Sequence, residues 1–319
     1  MAETYSIIDT GEYRILKTNL QETKTYYSKK VIDTIIERKG LERALIYLSL
    51  KEKRSKFLQP LFDYLHAHGY KNMKVLEIGC STGHITEYLN EQLCVEEIYT
   101  FDIDKKMVEI TKIKKEELKL EKVRSIDHIA DPNSIQLPYP DNFFDLVIAL
   151  AVVEHIDYPN RQKHITAYYR KLKPGGLIGF FDTPNRLFPI EVHSTHLPFI
   201  QFLEPNTAYY YAKLFGKAKG GKKQFTEPGS GWQGATYSEL FPTNLSSPVI
   251  DISKETGYHD RDAIFPGQYD IRKTSLKYCT LLIATVCSRL FRIPLTRTAP
   301  FLNVVFYKQP DQLKSDIDR

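Results

Sequence analysis

The sequence predicts an α/β fold built on a mostly parallel sheet. Two observations carry that expectation. From residue 74 onward, short apolar runs alternate with amphipathic segments, which is the pattern of βαβ units covered on both faces. The first of these runs also leads straight into a glycine-bounded turn, Gly79-Cys80-Ser81-Thr82-Gly83, with a helical pattern behind it.

Taken in chain order, residues 1–70 carry helical spacing. Ile35-Ile36, Leu41, Ala44-Leu45 and Leu48 recur about every third or fourth position, and Phe57, Leu58, Leu61, Phe62 and Leu65 continue the pattern to a stop at Gly69. Buried strands are expected at 74–78, 98–101, 124–129, 144–150 and 177–181, with helices at 82–93, 104–118 and 161–172. Past Thr183 the pattern breaks. Prolines 184, 189, 198 and 205 and glycines 216, 220, 221, 229, 231 and 234 punctuate a long segment, and regular structure resumes near Val249 and ends in a strand at 302–307.

Composition narrows the class. Apolar residues are 42% and charged residues 26%, which excludes a disordered or fibrous chain. A formal charge of +5 is too weak by itself to argue for nucleic acid. The four cysteines (Cys80, Cys94, Cys279, Cys287) form no C-x-x-C pair, so reduced thiols in a cytoplasmic protein are expected. No signal peptide is read at the N-terminus. The apolar stretch 279–287 is too short to span a bilayer and is expected as a buried helix, the alternative being a surface that touches a membrane or a partner.

The turn after the first strand is the first chemical signal. Glycines let a ligand approach the backbone, and the following helix aims free N–H groups at it. A nicotinamide fingerprint wants G-x-G-x-x-G, and Ser81 and His84 break it. Gly79-Cys80-Ser81-Thr82-Gly83 matches the G-x-S-x-G of a hydrolase elbow literally. The third reading is a nucleoside-binding turn, and a tight turn with no ligand is the bland one. Acids decide for the third. Asp102 ends the second strand about one βαβ repeat beyond Glu77, where a carboxylate meets ribose hydroxyls. Asp131 follows the third strand, placed to accept from an adenine amino group. Asp104, before Met107, Ile110 and Ile113, reads instead as a helix cap.

Together, Glu77-Ile78-Gly79-Cys80-Ser81-Thr82-Gly83, Asp102, Asp131 with Leu137-Pro138, Phe144-Asp145-Leu146-Val147, Glu154-His155 and Lys171-Leu172-Lys173-Pro174-Gly175-Gly176 resemble the successive motifs of class I S-adenosylmethionine-dependent methyltransferases, in their small-molecule subgroup. The resemblance covers about residues 70–185 and departs at Ser81, where the family most often has glycine. It implies a doubly wound, Rossmann-like sheet of seven strands, the last antiparallel, with S-adenosylmethionine as cofactor. The expected division is an N-terminal helical lid at 1–70, a packing role being the alternative, a cofactor-binding core at 71–182, an inserted substrate cap at 183–247 and completion of the sheet at 248–319.

Carried over position by position, Gly79, Ser81 and Gly83 pass against the methionine part of the cofactor, and Glu77 holds the turn and faces its amino group. Asp102 takes the ribose, Ile103 packs on adenine, Asp131 takes the adenine amino group, and Ala149 and Leu150 line the methyl-donor pocket unless they are ordinary strand core. A hydroxyl acceptor needs a base, for which His155 is the first candidate and His193 and His196 the others; for each the favoured reading is still a structural or surface histidine. No metal ligand is assigned. Some quinone-biosynthesis relatives place Glu-x-x-Glu-His after strand four, and here Ala151 stands at the first position; Glu191-x-His193-x-x-His196 fits no known zinc spacing.

The acceptor is expected to meet the segment 183–247, where Tyr209, Tyr210 and Tyr211 offer flat faces and Lys217, Lys219, Lys222 and Lys223 sit among glycines, unless these are a solvated loop. Nucleic acid is disfavoured, because Ala149-Leu150-Ala151-Val152 lacks the Pro-Pro-Tyr signature of base methylation and no basic stripe alternates with aromatics. The expected activity is methyl transfer to oxygen or nitrogen of a small-molecule, glycan or lipid-type acceptor, with peripheral membrane contact left open and nothing setting the oligomeric state. A serine hydrolase using Ser81 and a non-catalytic binding module remain the alternatives.

Overall fold

The computed structural model describes residues 5–18, 21–132, 134–218, 221–243, 245, 247–259 and 275–310. The chain begins with three short strands, β1 (Tyr5–Asp9), β2 (Arg14–Thr18) and β3 (Glu22–Thr25), paired antiparallel in that order. This corrects the helical expectation for 1–70 at its start. The apolar positions here are few and short-spaced, and only Leu16 and Thr25 are fully covered, so pairing rather than a helical face organises the segment. Helices then follow as expected: α1 (Lys29–Lys39), α2 (Leu41–Tyr47) and α3 (Leu50–Ala67). The Ser28 hydroxyl caps α1 by accepting from the Val31 N–H, and Gly40 ends it at φ 78°.

The alternating region runs β4 (Met73–Ile78), α4 (His84–Glu91), β5 (Val95–Asp102), α5 (Lys105–Glu117), β6 (Val123–His128), β7 (Phe144–Leu150), α6 (Arg161–Lys171) and β8 (Leu172–Pro184). After it come α7 (Pro205–Leu214), α8 (Lys222–Thr226), β9 (Val249–Asp251), α9 (Ser275–Phe291), α10 (Leu295–Thr298) and β10 (Phe301–Lys308). Seven strands form one sheet in the order β6-β5-β4-β7-β8-β10-β9. β4 with β5, β5 with β6 and β7 with β8 are parallel, while β10 runs antiparallel to both its neighbours. The fold is therefore the doubly wound seven-stranded sheet with an antiparallel last strand that the motifs implied. β8 begins earlier than expected. Leu172 already pairs with Phe144, and a register shift absorbs Lys173-Pro174-Gly175-Gly176 as an irregularity inside the strand, with Gly175 at φ 83°.

The chain divides into two compact units, Met1–Gln59 with Gly69–Asp131 and Pro60–His68 with Pro132–Arg319. In the first, β1–β3, α1 and α2 share a core with α5: Leu16, Tyr27, Val31, Ile32, Ile35, Leu45 and Leu48 meet Met107 and Ile110. Arg38 adds an exposed ion pair to Asp104, whose other oxygen caps α5 by accepting from Lys106 N–H. Inside this unit a buried Lys114 sits 3.6 Å over the Tyr27 ring and 3.4 Å from Glu87, and burial lowers its pKa to about 8.

In the second unit, the segment after β8 has a core of its own. Leu197, Ile200, Ala208, Ala212, Phe225 and Trp232 pack together, and Phe225 stacks on Trp232 with ring centroids 5.5 Å apart. Buried Arg161 of α6 ties this segment down, donating to the carbonyls of Gly234 and Ile156 and to Glu239, which also pairs with Arg186. A second buried cation, Lys308, donates to Asn142 and to the carbonyls of Tyr169 and Leu172 at the end of α6. The expectation of a buried helix around 279–287 is corrected. α9 buries Leu281 and Ala284, but Cys279 is exposed and Leu282, Val286, Leu290 and Phe291 are each more than half exposed. Apolar residues at all positions of a short run do not reveal which face is covered. No helix among the described residues is long and apolar enough to cross a membrane.

Candidate functional site

In the first unit the carboxyl ends of three adjacent parallel strands converge. The turn 79–83 follows β4, Asp102 closes β5, and Asp131 lies three residues past His128, the end of β6. Asp102 pairs in register with His128, and the N–H groups of Cys80 and Ile129 donate to the carbonyls of Phe101 and Asp102. The sheet thus brings Gly79, Asp102 and Asp131 to one edge.

The turn is held in an uncommon conformation. Gly79 (φ 77°), Ser81 (φ 48°) and Gly83 (φ 73°) all lie in the left-handed region. Asp102 stabilises it: one carboxylate oxygen accepts from Ser81 N–H at 2.8 Å and the other from Asp104 N–H at 2.9 Å. Burial raises the Asp102 pKa and those two backbone donors oppose the shift. Each oxygen keeps acceptor capacity for a further donor. Thr111 of α5 braces the other side, donating its hydroxyl to the carbonyls of Ser81 and Met107, each at 3.0 Å. A Cβ on Gly83 would lie 3.0 Å from the Thr111 methyl. Thr111 was not singled out in the sequence; its place on the second turn of a helix carries no motif.

Glu77 is buried in β4. It accepts from the Thr86 hydroxyl at 2.5 Å, its backbone carbonyl accepts from Thr100, and burial pushes its pKa up to about 7. Ile103, next to Asp102, is 52% exposed, an apolar surface beside a carboxylate at the mouth of the turn. Asp131 is exposed. These residues fit S-adenosylmethionine by their chemistry: a carboxylate with spare acceptor sites, an apolar face next to it, a backbone turn with glycine at both ends, and the N-terminus of α4 behind it.

The second unit holds the histidines. β7 ends in buried Ala149 and partly exposed Leu150, paired in register with Phe180 and Phe181. Ala151 then turns at φ 53°, and a short 3₁₀ turn, Val153–His155, presents Glu154 and His155. His155 is exposed and its Nδ1–H donates to the Gly229 carbonyl at 3.0 Å, which leaves Nε2 with the lone pair. His193 joins it, with ring centroids 5.5 Å apart and planes at 70°. His196 is exposed on a left-handed residue (φ 57°) and stands outside that cluster.

Glu191 is an organiser of the loop. Its buried carboxylate accepts from the backbone N–H groups of His193, Ser194, Thr195 and His196 and from the hydroxyls of Ser194 and Thr195. Tyr209 and Tyr211 pack against Phe225 and Phe215, while Tyr210 is exposed, with Lys222 5.1 Å above its ring. Lys217, Lys222 and Lys223 are exposed; Lys219 lies outside the described residues.

Residues 76–180 match the family profile described as a methyltransferase domain. A demethylmenaquinone methyltransferase of Geobacillus sp. (strain WCH70) is 29% identical over 150 residues, which are 46% of this chain and 59% of that protein. The ubiquinone/menaquinone biosynthesis C-methyltransferase UbiE of Psychromonas ingrahamii (strain DSM 17664 / CCUG 51855 / 37) is 29% identical over 117 residues, 36% of this chain and 45% of that one. The chain spans about half the length of these relatives. The crystal structure of an S-adenosylmethionine-dependent methyltransferase from Clostridium acetobutylicum ATCC 824 covers 42% of this chain and 51% of that one at 21% identity, with a TM-score of 0.36. The matched profile is that of a methyltransferase domain and not of a hydrolase. Ser81 is engaged through its backbone by Asp102 and Thr111, and the nearby His84 contacts Thr82 and has its pKa lowered by burial.

Proposed function

We propose that this chain, an S-adenosylmethionine-dependent methyltransferase by its domain at 76–180, methylates a small molecule that carries an acidic hydroxyl. The observation that carries the reading is the tie between Asp102 and the turn at Ser81, which sets a carboxylate and a glycine-bounded turn at one strand edge. Asp102 would hold the ribose hydroxyls, Ile103 the adenine face and Asp131 its amino group. Gly79, Ser81 and Gly83 would admit the methionine part, with Glu77 behind the turn and Ala149 and Leu150 lining the donor pocket. Once bound, the cofactor supplies a methyl group on a positively charged sulfur, ready for displacement.

The chain's own work is positioning and proton removal. Holding two reactants in line contributes about 7–11 kcal/mol towards the barrier. His155, with Nδ1 committed to Gly229, offers Nε2 to take a proton from the acceptor hydroxyl. An oxyanion made this way can react at oxygen, or at a neighbouring ring carbon if the ring is conjugated with it. The relatives named above are a menaquinone-series methyltransferase and a C-methyltransferase, so both products belong in the assay, nitrogen acceptors being the less favoured class. His193 stands next to His155 as its partner, and His196 is left to the loop. Four free cysteines suit a reducing cytoplasm.

Calorimetry with S-adenosylhomocysteine tests the cofactor half. Two charge-assisted bonds from ribose to Asp102 are each worth about 1.5–3 kcal/mol, so Asp102→Ala should weaken binding by at least about a hundredfold. Wild-type protein that binds no S-adenosylhomocysteine ends the proposal. A non-catalytic module would bind it and turn over no hydroxylated acceptor.

A further inference from the structure

Glu154 poses a problem that methyl transfer alone does not solve. The side chain is 1% exposed, and neither carboxylate oxygen has a hydrogen-bond partner. Leaving a buried carboxylate unpaired is costly. The Arg161 guanidinium lies near enough to feel its charge, but its Nη donors go to Gly234, Ile156 and Glu239, and its Nε makes no hydrogen bond to Glu154. What Glu154 does face is a pair of imidazoles: one ligand-type atom from each of Glu154, His155 and His193 lies within 4.8 Å of the other two.

We propose that Glu154, His155 and His193 bind one divalent transition-metal ion of the zinc type, leaving a coordination position open to the acceptor's hydroxyl oxygen. The donor set is one carboxylate and two imidazoles, which suits zinc or its first-row neighbours and not magnesium or calcium. Bonds of about 2.0–2.2 Å put tetrahedral ligands about 3.4 Å apart, so closure asks the two exposed rings to move inward by about 1 Å. The surroundings already orient the rings. The Nδ1–H of His155 donates to the Gly229 carbonyl, which holds the ring in place and turns Nε2 to a metal. Glu191 gathers the backbone of 193–196 and so fixes where His193 emerges. Gly231, at φ 90°, passes so close that a Cβ there would lie 3.0 Å from His193 and 3.1 Å from His155. A cation here would balance the buried Glu154 charge; with His155 Nε2 ligated, the metal replaces that ring as the device for ionising the acceptor, since a hydroxyl bound to it becomes a stronger acid and gives its proton to solvent.

Metal binding itself does not depend on the methyl-transfer reading; only the use of the open position rests on it. Both are therefore tested apart. Protein dialysed against EDTA is titrated with cobalt(II), read by its visible d–d absorption, and then with zinc. The expected result is saturation at one equivalent, displacement by zinc, and a zinc-dependent rise in melting temperature. Glu154→Gln and His193→Gln should each weaken binding at least about tenfold, and His196→Ala should leave it unchanged. His193 is exposed, so its variant keeps the core intact and the test readable even if Glu154→Gln fails to fold. No saturable cobalt spectrum, or binding undiminished in His193→Gln, overturns the site. Either result leaves the S-adenosylhomocysteine experiment standing.

Discussion

Replacing Gly83 by alanine tests the reasoning about the turn most directly. Gly83 sits at φ 73°, a conformation that costs an L-residue about 1–2 kcal/mol. The new Cβ would meet the Thr111 methyl at 3.0 Å and its hydroxyl at 3.1 Å, so Thr111 must shift. That shift strains the hydroxyl's bonds to Ser81 and Met107, worth about 1 kcal/mol net. The expected loss is about 2–3 kcal/mol, measured by urea unfolding, with weaker S-adenosylhomocysteine binding in calorimetry. The double mutant separates the two causes. Thr111→Ser removes the methyl that collides, so Gly83→Ala should cost about 1 kcal/mol less in that background. A loss below about 0.5 kcal/mol, or the same loss in both backgrounds, refutes the account of how α5 braces the turn.

The remaining predictions concern other buried charges. Glu191→Ala removes the acceptor for four backbone N–H groups; hydrogen–deuterium exchange at 192–196 should accelerate at least about tenfold while the sheet stays protected, and unchanged exchange there would show the loop does not depend on that carboxylate. Lys114 has a folded pKa of about 8 against an ordinary 10.5, so between those values the unfolded chain binds more protons and stability contributed by this group rises with pH. Wild-type minus Lys114→Met stability should therefore increase from pH 8 towards 10.5, and a flat difference would mean Lys114 is not desolvated.

The periodicity was enough for the sheet. β4, β5, β7 and β8 each contain the expected run and β6 ends one residue short of it, because buried strand positions must be apolar and lie close together in the chain. Gly79, Gly83 and Asp102 were legible for a similar reason: backbone φ near 75° and a carboxylate at a strand end restrict residue type locally. The antiparallel start of the chain was not legible, since β1–β3 have too few covered positions to impress a period of two. Nor was the exposed face of α9, where burial depends on what the helix meets.

The sequence by itself determined the doubly wound sheet and the edge that gathers Gly79, Asp102 and Asp131, because both follow from constraints within about 30 residues of chain. Tertiary structure alone decided that His193 stands against His155 and His196 does not, that Thr111 braces the turn, and that Glu154 is buried without a partner. Those facts join residues separated by tens of positions, and such a meeting is set by how loops close over a packed sheet, which leaves no spacing for a reader of the chain to find.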